Sequence, residues 1–548
     1  MMKWDETRED YANWAATTPL KAFFAKHFMW RGVSLWWETL PMQRDNISDP
    51  EWYSLLHTIN EDEIPRRYYP KKRSLASLFF RDLINWFLVR LFFNTRKKPV
   101  SEGIWFHSID YNLKPEEDYF VDKNYSTAPF SDIRNYNNSS YLLKVYLNKS
   151  IFKKGAQKRK LEIYGGLNRP FWVCDEYLRF RDILIVHSIV CFYSIKLWLL
   201  LKINNKYDFF TVGGKDATAI LEPMLKASFF GSLQASLLYA LSMERFFKNF
   251  SKPQTIITYG ELLPEFKYVY HFVQLIGIGH KFLSVQHSYS GKNKLFHYYK
   301  RSDIQYQIPG DAMCFSPRPD FYLVQGDQFR KVLSEYFPAE CIYVIGVLKY
   351  DNYIEILRSR ESIKNQVFQN IGRDDRSILL VVFSIGDEGR ILSVLRNFDS
   401  SDRWRIIISP HPVIRDVTMK KINQIPHLKG KVEYFADIST NELNQVADLV
   451  LGGYSATIFE SLIFGVSSMY ACGVNDIPYL DDDSSLPKCE NADDLKMIMS
   501  RLESKENIFN VSNVSKAVER HFYKIDGKAK QRLWDVINKI NKTQQFLQ

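Results

Sequence analysis

The sequence predicts two doubly wound α/β domains in series, flanked by a helical N-terminal region and a helical C-terminal tail. From Gly103 onward, short β-rich runs ending near Gly, Ser, His or Asp alternate with amphipathic stretches, the pattern of parallel strands covered by helices. The alternation occurs twice, on either side of a charged, poorly apolar helical stretch at 351–376 that suits a linker. A length of 548 residues accommodates two large domains or three to four smaller ones. Hydrophobic residues make up 46% and charged residues 25%, a globular balance that excludes disordered and fibrous classes. A mean hydropathy of -0.27 excludes a polytopic membrane protein.

Taken in order, region 1–100 reads as a helical, aromatic and basic extension. Phe23, Phe24, Phe28, Met29, Trp30, Leu35, Trp36 and Trp37 cluster around Lys21, Lys26, His27 and Arg31. From 77 to 94 the polar residues Ser77, Arg81 and Asn85 recur every fourth position and leave an apolar face wider than half a helix, followed by Arg96, Lys97 and Lys98. Two readings stay open: a helix lying in a membrane interface with basic residues at headgroup level, or a helix packed in a core with a solvated basic end. Neither this stretch, broken by Arg81, Asp82 and Arg90, nor the short apolar run 183–195 is long enough to span a bilayer.

Residues 101–355 form the first Rossmann-like domain, with strands expected at 104–109, 209–212, 255–259, 282–286, 322–325 and 342–345. After the linker at 356–376, residues 377–505 form the second, with strands at 378–385, 404–409, 431–435, 448–451 and 467–472. The tail, 506–548, is helical. No short-period repeat and no low-complexity tract is present.

Net charge is +11, a modest excess over this length that suits a phosphate-bearing partner or an anionic membrane surface. Basic residues form no stripe interleaved with aromatics, so nucleic-acid binding is not expected. The six cysteines include no CxxC pair, so neither a zinc site nor a disulfide framework is indicated. The acidic start MMKWDETRED has no apolar signal core, and a reducing, cytoplasmic compartment is expected.

Ligands of doubly wound sheets bind where strands end and helices begin. The most informative such junction is 448–460, DLVLGGYSATIFE. Gly452 and Gly453 let a ligand approach the backbone, and a helix then opens with Ser455 and Thr457, whose hydroxyls and free N–H groups suit a phosphate. Glu460, a turn further on, is placed to accept from ribose hydroxyls. Simple N-capping by Ser455 explains less of this pattern. At 405–412, RIIISPHP, a buried strand delivers His411 between Pro410 and Pro412, which stiffen the backbone around an imidazole able to bond phosphate oxygens. At 382–389, VFSIGDEG, Ser384 and Gly386 can line a donor pocket, whereas Asp387 and Glu388 suit the helix start.

In the first domain Glu261 follows the strand at 255–259, where a general base would sit, and His287 follows the strand at 282–286. Glu261 also has a structural alternative, an ion pair with Lys292. Weaker signals are set aside. Asp481, Asp482 and Asp483 lie in a Pro/Ser loop and read as a solvated turn, while 212–215 lacks P-loop spacing.

The succession of a strand ending in SPHP at 409–412 and a strand ending in GGYSATIFE at 452–460 resembles the donor half of GT-B glycosyltransferases that build bacterial surface polysaccharides. It is most similar to the sialyltransferase-like and Kdo-transferase-like group. YGE at 259–261, QHS at 286–288, YLVQG at 322–326 and VIGVLKY at 344–350 resemble the acceptor half of surface-carbohydrate biosynthesis proteins. The resemblance covers about residues 100–500. It implies a GT-B fold and a glycosyltransferase, independent of metal and cofactor, using a CMP-activated nonulosonic or Kdo-type acid as donor. The acceptor would be a surface-polysaccharide or lipid-linked glycan, and the enzyme would touch the cytoplasmic membrane peripherally. His411, Pro412, Tyr454, Ser455 and Thr457, with Gly453, would hold the donor phosphate, and Glu460 the ribose. The group's acidic base motif belongs in the first domain, but here the matching triplet, Asp387, Glu388 and Gly389, opens the second, which leaves Glu261 as the expected base. Two alternatives remain: a CDP-polyol phosphotransferase of the teichoic-acid type with His287 as base, and a non-enzymatic binding module of a polysaccharide assembly complex.

Overall fold

The computed structural model describes residues 3–43, 74–97, 102–109, 113–116, 119–122, 139–145, 170–259, 264–286, 299–307, 313–384, 387–398, 402–411, 414–453, 455, 457–472, 486–506 and 511–545. The first domain contains α1 (Lys3–Thr17), α2 (Pro19–His27), α3 (Leu75–Phe92), β1 (Ile104–Ile109), β2 (Ser139–Lys144), β3 (Phe171–Val173), α4 (Phe180–Ile203), α5 (Thr218–Ala227) and α6 (Leu233–Phe247). It continues with β4 (Thr255–Thr258), α7 (Pro264–Gln274), β5 (Lys281–Val285), β6 (Phe321–Val324), α8 (Asp327–Ser334) and β7 (Ile342–Val344). Short hairpins and single turns fill the intervals. The seven strands lie in the order β3-β2-β1-β4-β5-β6-β7, with every pairing parallel.

Two helices, α9 (Tyr353–Arg358) and α10 (Arg360–Ile371), lead into the second domain. It comprises β8 (Ser377–Phe383), α11 (Glu388–Arg396), β9 (Trp404–Pro410), α12 (Arg415–Ile422), β10 (Val432–Glu433), α13 (Thr440–Val446), β11 (Leu449–Gly452), α14 (Thr457–Ile463), β12 (Ser467–Ala471), β13 (Lys488–Cys489) and α15 (Ala492–Glu503). Its six strands are ordered β10-β9-β8-β11-β12-β13 and are also all parallel. The tail consists of α16 (Val511–Phe522) and α17 (Ala529–Gln545). Each sheet winds outward in both directions from its first strand and reverses between its first and fourth strands, which is the two-domain α/β architecture of the GT-B type.

Strand alternation explains why both faces of both sheets are covered. On β8, Ile378, Leu380 and Val382 enter one core, while Leu379, Val381 and Phe383 enter another. In the first sheet Trp105, Leu142, Trp172, Ile256 and Phe282 face the large helical core. Their neighbours Phe106, Leu143, Val173, Ile257 and Leu283 face the opposite one. The aromatic N-terminal segment belongs to that large core: Phe24, Phe28, Trp36 and Trp37 are buried among residues of α4 to α7.

Three sequence expectations need correction. The run 209–212 is not a sheet strand. A short helix, Lys206–Phe210, precedes a two-residue hairpin strand, because Asn205 caps the helix and its turn buries Phe209 and Phe210 together. Strands β2 and β3 went unanticipated, since six residues opening on two serines and three residues alone are too short for periodicity to register. The apolar run expected at 183–195 extends through Lys196 as the 24-residue α4, a helix long and apolar enough to cross a membrane.

The tail ties the halves together. Phe522 of α16 packs in the core of the second domain. One step earlier, a Cβ at Gly326, the residue between β6 and α8, would collide with the backbone of Arg520 and His521, so only glycine permits this approach. Helix α17 then crosses to the first domain, where Ala529, Leu533, Trp534, Ile537 and Ile540 close the second face of its sheet. The carboxylate of Asp351 accepts from the backbone N–H groups of Ala529 (2.9 Å) and Lys530 (2.8 Å) at the start of α17. Arg532 donates to the Ile345 carbonyl at 2.8 Å.

Trp534 meets Phe106 of β1 edge to face, with ring centroids 5.9 Å apart. Truncating it to alanine is expected to cost about 3–5 kcal/mol. The loss should appear as faster hydrogen exchange of β1 and β4 amides, with β8 and β9 amides unchanged.

Candidate functional site

In the second sheet, β9, β8 and β11 are adjacent, so their carboxyl ends bring His411, Ser384 and Gly453 side by side where the winding reverses. The backbone fixes this edge. The His411 N–H donates to the Phe383 carbonyl at 3.0 Å, and the His411 carbonyl accepts from Ile414 N–H at 3.0 Å, which holds the half-buried imidazole at the strand tip. Beside it, Ser409 Oγ and Thr440 Oγ1 share a hydrogen bond of 2.7 Å.

Asp387 is fully buried, and its Oδ1 accepts from the Ser384 N–H at 2.8 Å. It therefore shapes the turn after β8. A Cβ at Gly453 would lie 2.5 Å from the Cβ of Asp387, so the glycine is demanded by close packing of two loops. Ser455 Oγ accepts from the Thr457 N–H at 3.2 Å and bonds Thr457 Oγ1 at 3.0 Å, placing both hydroxyls at the entry of α14, a helix of seven residues.

Glu388 accepts from Thr418 Oγ1 (2.8 Å) and pairs with Lys421 (2.6 Å). Glu460 is buried; its carboxylate pairs with Lys349 Nζ and accepts from Tyr350 Oη at 2.9 Å, both from the segment after β7. A ribose would have to share that carboxylate with them. Thus Ser384, His411, Gly453, Ser455, Thr457 and Glu460 are placed by the second domain, whereas Glu261, His287, Gly386, Pro412 and Tyr454 lie outside the described residues.

The first sheet carries a polar cluster that the sequence analysis did not identify, because two of its members sit on or just past the unanticipated β2 and β3. His107 of β1 is buried, bonded to Tyr239 Oη, and lies 3.5 Å from Thr258 Oγ1. Lys144, the last residue of β2, holds its ammonium 3.8 Å from the centroid of the Tyr239 ring. Asp175, just past β3, accepts from Val145 N–H at 3.1 Å. Burial lifts its carboxyl above the usual range against the pull of Lys144. A cavity of about 120 Å³ opens here, lined by Lys144, Asp175 and Tyr239 together with Arg81, Asp82 and Asn85 of α3. His107, a histidine inside an expected strand, was the one available signal.

Comparison with known proteins gives distant likenesses only. No family model and no curated protein matches the chain. Among solved structures, the wall teichoic acid polymerase TagF is similar at 12% identity and a TM-score of 0.44, covering 85% of this chain and 98% of that one. UDP-GlcNAc 2-epimerase from Neisseria meningitidis is similar at 11% identity and a TM-score of 0.44, covering 80% and 99%. Scores this low carry no argument about activity, and the fold assignment rests on the two sheets themselves.

Replacing Gly453 by alanine should displace the Asp387 loop while leaving the first domain's exchange pattern intact, as hydrogen exchange would read. Acidity should also act through buried histidines. Burial, aided by Lys144, lowers the His107 pKa from 6.5 to about 3, and burial lowers that of His280 to about 4. Between those values and 6.5 only the unfolded chain takes up these protons, so stability falls as pH drops through that window, by roughly 1.4 kcal/mol per pH unit for each ring. Denaturant titrations from pH 7 to 4 should show this slope, and His107→Asn should reduce it.

Proposed function

We propose that the protein is a nucleotide-sugar-dependent glycosyltransferase of surface-glycan biosynthesis, holding its donor at the reversal point of the second sheet. The observation that carries this reading is electrostatic. Around that edge Ser384, His411, Ser455 and Thr457 offer hydroxyl, imidazole and backbone donors. The nearby carboxylates are each engaged: Asp387 by backbone, Glu388 by Lys421, Glu460 by Lys349 and Tyr350. A phosphate meets donors there while these three carboxylates are held by other partners, which suits both binding and stabilisation of a departing phosphate. Glu460, with Lys349 and Tyr350 beside it, is the group for the ribose. The likeness of 409–412 and 454–457 to CMP-using enzymes favours a CMP-activated nonulosonic or Kdo-type acid. Glu261 serves as the base that deprotonates the acceptor hydroxyl, and no resident cofactor takes part.

A thermal-shift panel with CMP, CDP, UDP and GDP tests the donor assignment. A nucleotide at about 100 times its Kd adds roughly 2.7 kcal/mol of stability. CMP is expected to stabilise, and His411→Ala to weaken its affinity by about 10- to 100-fold, the cost of one charge-assisted hydrogen bond. A preference for CDP moves the assignment to a polyol phosphotransferase, and no shift with any nucleotide overturns it in favour of a binding module. Glu261→Gln should lower kcat while leaving CMP affinity unchanged; wild-type turnover would place the base elsewhere.

A further inference from the structure

Helices α3 and α4 form an antiparallel pair built inside out. Asp82 of α3 bonds His187 of α4 at 3.0 Å, Phe79 meets the same imidazole edge to face, and Trp86 donates to the Leu178 carbonyl at 3.0 Å just before α4. Three polar residues at the middle of α3 point into the protein: Arg81, Asp82 and Asn85 line the cavity beside Lys144 and Asp175. Its outward positions are Phe80, Ile84, Phe87 and Leu91. A water-facing helix places these two classes the other way round.

Helix α4 continues the same surface. Phe180, Leu184, Ile185, Phe192, Ile195, Trp198, Leu199 and Ile203 all face outward. Twelve of the seventeen exposed large hydrophobic side chains among the described residues therefore lie on these two helices, each 41–78% exposed. The remaining five are scattered singly. A contiguous apolar strip the length of a 24-residue helix, about 36 Å, is not a chance exposure.

Charge is sorted across the same pair. The acids are turned in: the side chains of Asp82 and Asp182 are 13% and 3% exposed, and Asp182 is held by Arg245 at 2.5 Å. On α3, Arg81 turns to the cavity and Arg90 to the Leu178 carbonyl, so the outward bases are Arg181 and Lys202, exposed near the two ends of α4, with Lys26 exposed at the end of neighbouring α2. Lys202 sits 4.9 Å from the Trp198 ring centroid, an apolar body with a basic tip. Stacking a second copy on this face would set bases against bases, whereas a layer of anionic headgroups complements them.

We propose that the exposed face of α3 and α4 is a monotopic docking surface that beds the protein in an anionic lipid bilayer. The pair lies flat in the interface and does not cross it. The other side of α4 is committed to the core through Ile183, Val186, Val190, Leu197, Leu200 and Leu201, and crossing would strip those contacts. The apolar strip enters the acyl boundary, and Arg181 and Lys202 meet the phosphates. The inference stands independently of the donor assignment.

Flotation of the full chain with phosphatidylcholine vesicles, with or without phosphatidylglycerol, tests it. The protein should float with the mixed vesicles and more weakly with phosphatidylcholine alone. Combined Phe87→Ser, Phe192→Ser and Trp198→Ser should cut binding at least about tenfold without changing the melting curve, since all three side chains are already exposed. Combined Arg181→Gln and Lys202→Gln should cut binding roughly tenfold or more to the mixed vesicles alone. Wild-type protein that stays unbound to both vesicles, or a triple variant that floats like wild type, overturns the proposal. So does a wild-type dimer in light scattering that the triple variant converts to monomer, since a second copy would then occupy the face. The nucleotide thermal shift should be the same in all variants, so failure here is distinguishable from failure of the transferase reading.

Discussion

A parallel sheet has two apolar faces, and the first domain cannot cover both with its own stretch of chain. Helices drawn from residues before 275 fill one side. The other side is completed by Val89 and Phe93 at the end of α3 and by α17, which comes from beyond the second domain. Much else depends on this borrowed helix. It obliges α16 to pass between the domains, which in turn demands Gly326, and it recruits Asp351 from the connecting segment to cap its first turn. The chain thus leaves the first domain, builds the second and returns, so the domains are joined twice. The Lys349–Glu460 pair adds a polar tie close to the outgoing connection.

Charge is arranged by the same logic at three separated places. At the edge of the second sheet the acidic side chains are tied to backbone, lysine or tyrosine, leaving hydroxyls and an imidazole to meet a ligand. In the first domain, Lys144 and Asp175 share a cavity, and burial lifts the Asp175 carboxyl above its usual range against the pull of Lys144. On the α3–α4 pair the carboxylates are withdrawn, while Arg181 and Lys202 near the ends of α4 are displayed. Several of these acids also bond partners distant in sequence, 111 residues away for Glu460 and 105 for Asp82.

That distance explains how much of the molecule was legible in the sequence. Parallel strands such as β1, β8 and β9 are built on apolar stretches that end near turn residues, so their positions and the residues at their carboxyl ends could be read directly. The SPHP and GGYS junctions followed. What could not be read was partnership. Nothing local to Glu460 indicates Lys349, and nothing local to Asp387 indicates that it shapes a turn against Gly453. The helix expected at 77–94 had two readings because periodicity reports that a helix has two faces without saying which one the protein keeps. Here its polar side turns inward to a cavity, a choice visible only once α4 is beside it. Strands β2 and β3 were too short to announce themselves, and they carry Lys144 and lead into Asp175.

The returning α17 also has a meaning for the order in which the molecule comes into being. Chains emerge from the ribosome N-terminus first and usually fold domain by domain as they do so. Here the first domain's sheet has one apolar face, with Phe106, Leu143 and Ile257 on it, that Val89 and Phe93 cover only in part until the residues of α17 have been made. The second domain, whose strands and most covering helices are contiguous, can therefore reach its final packing before the domain that precedes it. The earliest part of the chain to appear is the last to be finished.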